Sequence, residues 1–365
     1  MRAVRRVLIL VALIALLIQP AAAANAPAFS LAWSEYPSWS TFGVAHETGL
    51  IDGKEGKLGP IEKKWGVDIV LKEADYDPCL TMYGAGQCDA VCVTNMDVLN
   101  GSLRVPSAAI LATSTSYGAD ACIVSNDIAD VKQLRGKKVY GLAKTVSEYC
   151  FVRNLEILGE KEKDHIFTNM DPGAAALAMQ QKQAGYEAIV VWNPFVLETL
   201  NKRPDVKVLF DSKSIPGEII DMVVMSQKSL DRPGGKEFAC AVIDTFYAIN
   251  KRIADAATSD ATLVALGEKF SHLNLASMKK VVKQTVFYDT PDKALALFTG
   301  GQSFPSDAVK TDRKLKEIMD NVVKFCVVHE IVPNAPTVGY GSRKDAPKAA
   351  LRFDPTYITE VKNKK

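Results

Sequence analysis

Two stretches of this chain, 98 positions apart, are spelled alike: DAVCVTNMDVL at 89–99 and EAIVVWNPFVL at 187–197. Each runs from an acid and an alanine through a short apolar run to an asparagine, Asn95 or Asn193, and on into Val-Leu. An apolar run that short, leading directly into a helical pattern, reads as a buried strand followed by a helix. The rest of the chain spells the same alternation on either side of each copy. FSLAW (29–33) is a strand, PSWSTFGVAHETGL a helix with Pro37 near its first turn and Gly49 past its end, GVDIVLKEA (66–74) a strand and PCLTMYG (78–84) a short helix. SAAILATST and ADACIVS read as strands, and then the order restarts. KKVYGLA is a strand, SEYCFVRNLEILG a helix, HIFTNM a strand, PGAAALAMQQKQ a helix, and EAIVVW the strand of the second copy. Strand–helix alternation of this kind implies an α/β fold with mainly parallel sheets flanked by helices. From about residue 229 the pattern turns mostly helical, and residues 333–365 form a Pro- and Lys-rich tail with little periodicity.

Both copies of the repeat therefore sit where a parallel strand ends and the chain turns into a helix. Open α/β sheets bind ligands at that edge. Asn193-Pro194 has the spelling of a helix start, with Asn as N-cap and Pro in the first turn. Asp77-Pro78 and Asp171-Pro172 have the same form. Capping explains each pair taken singly. Together they gather helix amino ends on one rim, where exposed N–H groups suit an anionic or polar ligand. One copy per lobe would make two jaws facing one cleft.

The chain ends read differently. Residues 1–24 carry Arg2, Arg5 and Arg6, then the apolar stretch Val7–Ile18, then a run of alanines. This is the layout of a secretory signal peptide cleaved near Ala24. Arg5-Arg6 lacks the flanks of a twin-arginine signal, the apolar stretch is short for a bilayer crossing, and no lipid-attachment Cys follows it. A soluble periplasmic protein is expected. Removing 1–24 removes three arginines and no acid, taking the formal charge from +2 to −1. That balance gives no electrostatic reason to bind nucleic acid. Roughly 340 residues remain, more than one core normally serves, so two lobes are expected. The seven cysteines are too sparse for a disulfide-built scaffold. Cys88 and Cys92 on one strand would stand about 13 Å apart and cannot pair. Cys79–Cys92 and Cys240–Cys326 stay open, with buried free thiols the default.

LAWSEYPSWSTFGVAHETGL, followed by VDIVLKEADYDPCLTMYGAGQCDAVCVTN, resembles the opening lobe of the periplasmic substrate-binding proteins of ABC importers. The branch is the one that takes in nitrate, sulfonate and taurine binders and thiamin-pyrimidine proteins. LRGKKVYGLAKTVSEYCFVRNLEILG and ALAMQQKQAGYEAIVVWNPF resemble its second lobe. Gly86-Gln87-Cys88-Asp89-Ala90 fits the branch's usual turn, and the second copy departs from it with Glu187 in place of Asp. The resemblance runs over roughly residues 29–225 and implies a two-lobed, type II periplasmic binding protein with a ligand cleft between the lobes. It also implies a small-molecule ligand, an ABC permease with its ATPase as partner, and a monomer. The lobes would be 25–120 with 222–332, and 121–221, leaving 333–365 as the tail. The chain would cross between lobes within 117–125 and 218–226, the hinges of a closing motion.

Candidate ligand contacts cluster at the strand ends: Trp33, Ser34, Glu35 and Tyr36 after the first strand, Trp39 in the next turn, and Trp192 on the matching rim of the second lobe. Two aromatic jaws can sandwich a flat or small organic molecule. Core packing is the commoner fate of a Trp in such a protein. Asn95, Asp97, Ser114, Asp171, Asn193 and Asp221 complete the set, with Ser147 and Tyr149 from the helix that follows Thr145. Thr145 and Glu148 spell a capping box, which accounts for Glu148. Carboxylates at Glu35, Asp97 and Asp221, without an evident arginine, tilt the expected ligand toward a neutral or cationic nitrogen compound, because they would repel a sulfonate or nitrate.

An enzyme is the competing class. Pyrimidine-synthesising proteins share the fold, but their cysteine-dense motif is absent. His46, His165, His272 and His329 show no metal-ligand spacing, and no His-Glu-x-x-His, Gly-x-Ser-x-Gly or phosphate loop occurs. No catalytic residue, metal or cofactor is expected.

Overall fold

The strand–helix alternation builds two sheets, each with helices against its faces. The computed structural model describes residues 26–299 and 314–364; the expected signal peptide lies outside the described residues. Its strands, in chain order, are β1 Ala28–Trp33, β2 Asp68–Glu73, β3 Ala90–Thr94, β4 Ser107–Ser116, β5 Asp120–Ser125, β6 Lys138–Gly141, β7 Ile166–Asn169, β8 Ala188–Trp192, β9 Val206–Asp211, β10 Ile220–Ser226, β11 Thr285–Phe287, β12 Val338–Tyr340 and β13 Leu351–Phe353. The first sheet has the order β12-β13-β4-β10-β3-β1-β2, with β11 also pairing β4. The second has the order β7-β6-β8-β5-β9. β1 pairs β2 and β3 in parallel, and β6 pairs β7 and β8 in parallel, as the alternation requires. β10 and β5 run antiparallel to these units and make both sheets mixed.

The chain leaves the first sheet between β4 and β5, through residues 117–119, and returns between β9 and β10, through 212–219. β5 and β10 are therefore the first strands after the two crossings.

Period-two alternation decides which side chain goes where. In the second sheet, Ala121, Ile123, Ile189 and Val191 pack one face against Ala175, Met179 and Val196. Cys122, Val124, Val190 and Trp192 belong to the larger core on the other face. In the first sheet, Trp33 is 1 % exposed and lies under the helix Ser40–Glu47. Gly43 of that helix makes the approach possible, since a Cβ there would meet the Trp33 ring at 2.8 Å. The helix expected from Pro37 begins at Ser40 instead. Residues 37–39 form a turn in which the N–H groups of Trp39 and Ser40 both donate to the Tyr36 carbonyl, at 3.0 and 2.8 Å.

Residues 333–365, expected to lack periodicity, contribute two strands and the helix Thr356–Asn363. β13 extends the first sheet by pairing Leu351, Arg352 and Phe353 with Ser107, Ala108 and Ala109. Short three-residue strands carry too little pattern to be read from sequence. All seven cysteines are free and buried, so neither open disulfide pairing forms.

The acid that opens each repeat copy does different work. Asp89 accepts from the Ser30 N–H and hydroxyl at 2.8 and 3.0 Å, from the Ser229 hydroxyl at 2.6 Å and from Arg232 at 2.7 Å, tying β1 and the region after β10 to the start of β3. Glu187 accepts only locally, from the Gly185 N–H at 3.3 Å. The two turns share a strand-to-helix form rather than a common side-chain role.

Candidate functional site

The carboxyl ends of β1, β3, β6, β7 and β8 face one another across a cavity of about 940 Å³. Ser34 follows β1, Thr94 ends β3, Leu142 follows β6, Asn169 ends β7 and Trp192 ends β8, and all five line it. β5 and β10 run the opposite way, so they present their first residues at this edge. That is how Asp120, opposite Trp192 in register, and Asp221, opposite Thr94, come to form the floor.

A row of rings crosses the cavity. Tyr36 and Trp39 lie 4.8 Å apart, Trp39 stacks on Tyr76 at 5.6 Å, Tyr76 meets Trp192 edge-on at 6.0 Å, and Trp192 meets Phe195 at 6.4 Å. Tyr76 opens the helix Tyr76–Gly84, and its hydroxyl is held from behind: it donates to Asp97 at 2.8 Å and accepts from the Thr94 N–H at 3.1 Å.

The electrostatic character is one-sided. Glu35, Glu73, Asp75, Asp77 and Asp171 stand exposed around the mouth, and Asp120 and Asp221 are buried on the floor. No lysine, arginine or histidine among the described residues lines the cavity. Burial, reinforced by the charges of Asp97 and Asp211, pushes the Asp120 carboxyl up to about 7. Burial also raises Asp221 well above the carboxylate range; the Ser114 hydroxyl, donating at 2.5 Å, works against this, and Asp120 adds to it. The Tyr36 hydroxyl is pushed up by burial and then by Asp221 and Asp120. It makes no well-formed hydrogen bond, although Thr285 and Asp221 both lie near enough to interact with it.

Helix amino ends do gather here, as the Asx-Pro pairs implied, but acids already occupy them. Asp171 caps the helix Pro172–Gln180 by accepting from the Ala174 N–H at 2.9 Å. Asp75 precedes the helix Tyr76–Gly84 and Asp77 lies in its first turn, where negative charge offsets the helix dipole. Asp77 is thus a first-turn residue and not a cap.

No protein-family model matches the sequence, and no curated protein does either. Among solved structures, the chain is similar to the periplasmic aliphatic sulphonate binding protein SsuA from Escherichia coli, with a TM-score of 0.62 at 16% identity, covering 85% of this chain and 90% of that one. It is similar to the alkanesulfonate-binding protein SsuA from Xanthomonas axonopodis pv. citri bound to MOPS, with a TM-score of 0.63 at 15% identity over 90% and 99% of the two chains. It is also similar to the periplasmic nitrate-binding protein NrtA from Synechocystis PCC 6803, with a TM-score of 0.59 at 12% identity over 92% and 89%. The fold is that of the periplasmic binding proteins. In that fold the cavity described above is the cleft between the two sheets.

Of the residues singled out from sequence, Ser34, Glu35, Tyr36, Trp39, Asp171, Trp192 and Asp221 line the cleft. The others do not, for local reasons. Trp33 points to the helix-covered face of β1. Asn95 is buried and bridges strands, donating to the Glu218 carbonyl at 3.0 Å and accepting from the Ile220 N–H at 3.0 Å. Asp97 sits behind Tyr76, and burial raises its carboxyl to about 6. Ser114 is buried behind Asp221 and positions it. Ser147 is buried in the first turn of the helix Val146–Ile157, its N–H donating to the cap Thr145 at 3.3 Å. Tyr149 gives its hydroxyl to the buried Glu218 at 2.6 Å, and Arg153 donates to the same carboxylate at 2.9 Å. Asn193 is not an N-cap: the cap position of the helix Phe195–Lys202 falls at Pro194, and the Asn193 amide donates to Gln284 at 2.9 Å. Glu148 accepts from the Lys144 N–H, one residue before the predicted capping-box partner.

Sequence reasoning missed Tyr76 and Asp120. Tyr76 lay unremarked beside the Asp77-Pro78 signal, and Asp120 had no motif around it at all. Outside the cleft, His329 comes within 3.4 Å of Glu162 and 4.0 Å of Glu148. The ligand atoms of these three all lie within 4.8 Å of one another, a set able to hold a cation. They come from distant segments, so no sequence spacing announced them.

Proposed function

We propose that this protein is the extracytoplasmic solute-binding component of an ABC importer, which takes a small polar, nitrogen-containing organic molecule into the interlobe cleft and delivers it to a membrane permease. One observation carries the reading: a cavity at the carboxyl ends of both sheets, walled by both, with β5 and β10, the strands that follow the two crossings, supplying its floor. Closure of such lobes would be a hinge motion at residues 117–119 and 212–219. The ligand contacts are Ser34, Tyr36, Trp39, Tyr76, Asp120, Trp192 and Asp221. No helix among the described residues is long and apolar enough to cross a membrane. The chain itself carries the cleft, and the permease and ATPase are separate partners.

The sulfonate and nitrate named for the similar structures do not suit this cleft. An anion 4 Å from one carboxylate would be opposed by about 4 kcal/mol at an effective dielectric of 20. No cationic side chain among the described residues lines the wall to offset that.

The test is recovery of the bound molecule by mass spectrometry from purified protein, followed by small-angle scattering as that molecule is returned to stripped protein. An unchanged molecule and a smaller radius of gyration are expected. A chemically altered molecule would point to an enzyme, and an unchanged radius would overturn the closing cleft.

A further inference from the structure

The floor of the cleft is the most unusual place in the molecule. Asp120 and Asp221 are 3 % and 1 % exposed, the first residue of β5 and the second of β10, the strands that follow the two crossings. Neither pairs with a lysine, arginine or histidine among the described residues. Buried carboxyls are ordinarily matched by cations or by several donors. Here the hydroxyl of Ser114 serves Asp221, and Ser116 lies against Asp120.

A second feature points the same way. Tyr36 is 5 % exposed and lines the cavity, and its buried hydroxyl, on which Asp221 and Thr285 act, has no well-formed hydrogen bond. A hydroxyl so placed can give its proton to a carboxylate and still accept from an N–H group of a ligand. Above it, Trp39, Tyr76 and Trp192 are each no more than 8 % exposed and present ring surface to the same space. Aromatic faces attract a cation, more strongly when water is excluded.

We propose that the ligand is a small organic cation bearing N–H bonds, a protonated amine or guanidine, anchored by Asp120 and Asp221 and enclosed by Trp39, Tyr76 and Trp192. This rests on the solute-binding reading and sharpens it. The N–H requirement follows from the floor: a cation beside Asp120 and Asp221 favours their ionised form, which only accepts, so a quaternary ammonium would satisfy the rings and leave the floor oxygens without donors. The exposed acids at the mouth add a field that concentrates cations before entry.

The experiment is calorimetric titration of the stripped full-length exported protein at pH 8. The probes are agmatine, putrescine and methylguanidine, against tetramethylammonium, taurine, nitrate and acetamide. At least one N–H-bearing cation should bind at least a hundredfold more tightly than every other probe. Asp120→Asn and Asp221→Asn should each weaken that binding tenfold or more. Tyr36→Phe removes a single oxygen and should weaken it at least fivefold, which keeps the test standing if an acid variant folds poorly. Tighter binding of taurine, nitrate or acetamide overturns the cation and leaves the solute-binding reading intact. So does failure of every cation while an unchanged molecule is recovered from the purified protein. No recovered molecule and no binding by any probe would sink both.

Discussion

The ring of Tyr76 meets the ring of Trp192 edge-on, 6.0 Å between centroids, and this contact joins the two sides of the cleft. Tyr76 stands on the helix that follows β2, and Trp192 ends β8 in the other sheet. Edge-to-face pairs of this kind are worth about 0.5–1.5 kcal/mol beyond the area they bury. The rings that meet across the cleft are thus Trp39 with Tyr76 on one side and Trp192 on the other, and Trp33 is not among them.

Truncating a jaw and truncating a core ring should read differently. Tyr76→Ala or Trp192→Ala should weaken ligand binding by about 2 kcal/mol or more, as a buried hot-spot contact does. Trp33→Ala should instead lower stability by about 3–5 kcal/mol, with normal affinity in the fraction that stays folded. Calorimetric titration and thermal melting of each variant separate the two. Normal binding by both jaw variants would remove the rings from the site.

The floor acids make the empty protein sensitive to pH in an unusual direction. The Asp120 carboxyl titrates near 7 when folded, against 3.8 when free, so between those values the folded state holds a proton that the unfolded state has lost. The contribution of such a group to stability should be fully present below about 4 and be lost as pH rises toward 7, by up to about 1.4 kcal/mol per pH unit. Asp120→Asn should flatten that slope and raise the melting temperature of empty protein at pH 8. The groups acting on Asp120 are Ser116, Asp97 and Asp211, with Asp221, Tyr36 and Cys150 nearby. Melts across pH 4–8 with and without the substitution check this, and an identical slope in both would show that Asp120 is ionised throughout.

Glu218 lies in the second crossing, 2 % exposed, and is held by Tyr149 and Arg153. Arg153→Ala leaves that carboxylate buried without its cation and should cost about 3 kcal/mol or more of stability. Tyr149→Phe removes one hydrogen bond to a charged group and should cost about 1.5–3 kcal/mol. Ligand affinity of the folded protein should change little in the Tyr149 variant. A large loss of affinity with unchanged melting would return Tyr149 to the cleft.

Asn193 and Gln284 should behave as a coupled pair. Each alanine substitution alone should cost about 1 kcal/mol, and the double variant less than the sum. A coupling energy of about 0.5–1 kcal/mol in a double-mutant cycle marks the contact. Strict additivity would show that the Asn193 amide is employed elsewhere.

The layout of strands and helices was legible because it is local. Apolar runs such as EAIVVW and cap spellings such as Asp171-Pro172 act within a few residues, and the structure keeps both. Their meeting at one sheet edge follows from parallel pairing, which fixes the direction of every strand in the unit. What lay beyond the sequence was orientation and direction across distance. Trp33 and Trp39 are six positions apart, and only the packing of Trp33 under Gly43 and the turn at 37–39 send one to the core and the other to the cleft. Asn193 had the spelling of a cap, yet a glutamine 91 positions away claimed its amide. Asp120 and Asp221 reach the floor only because β5 and β10 run against their neighbours, bringing strand beginnings to an edge made mainly of strand ends. That reversal is a property of the assembled sheets, and with it came the charge of the site.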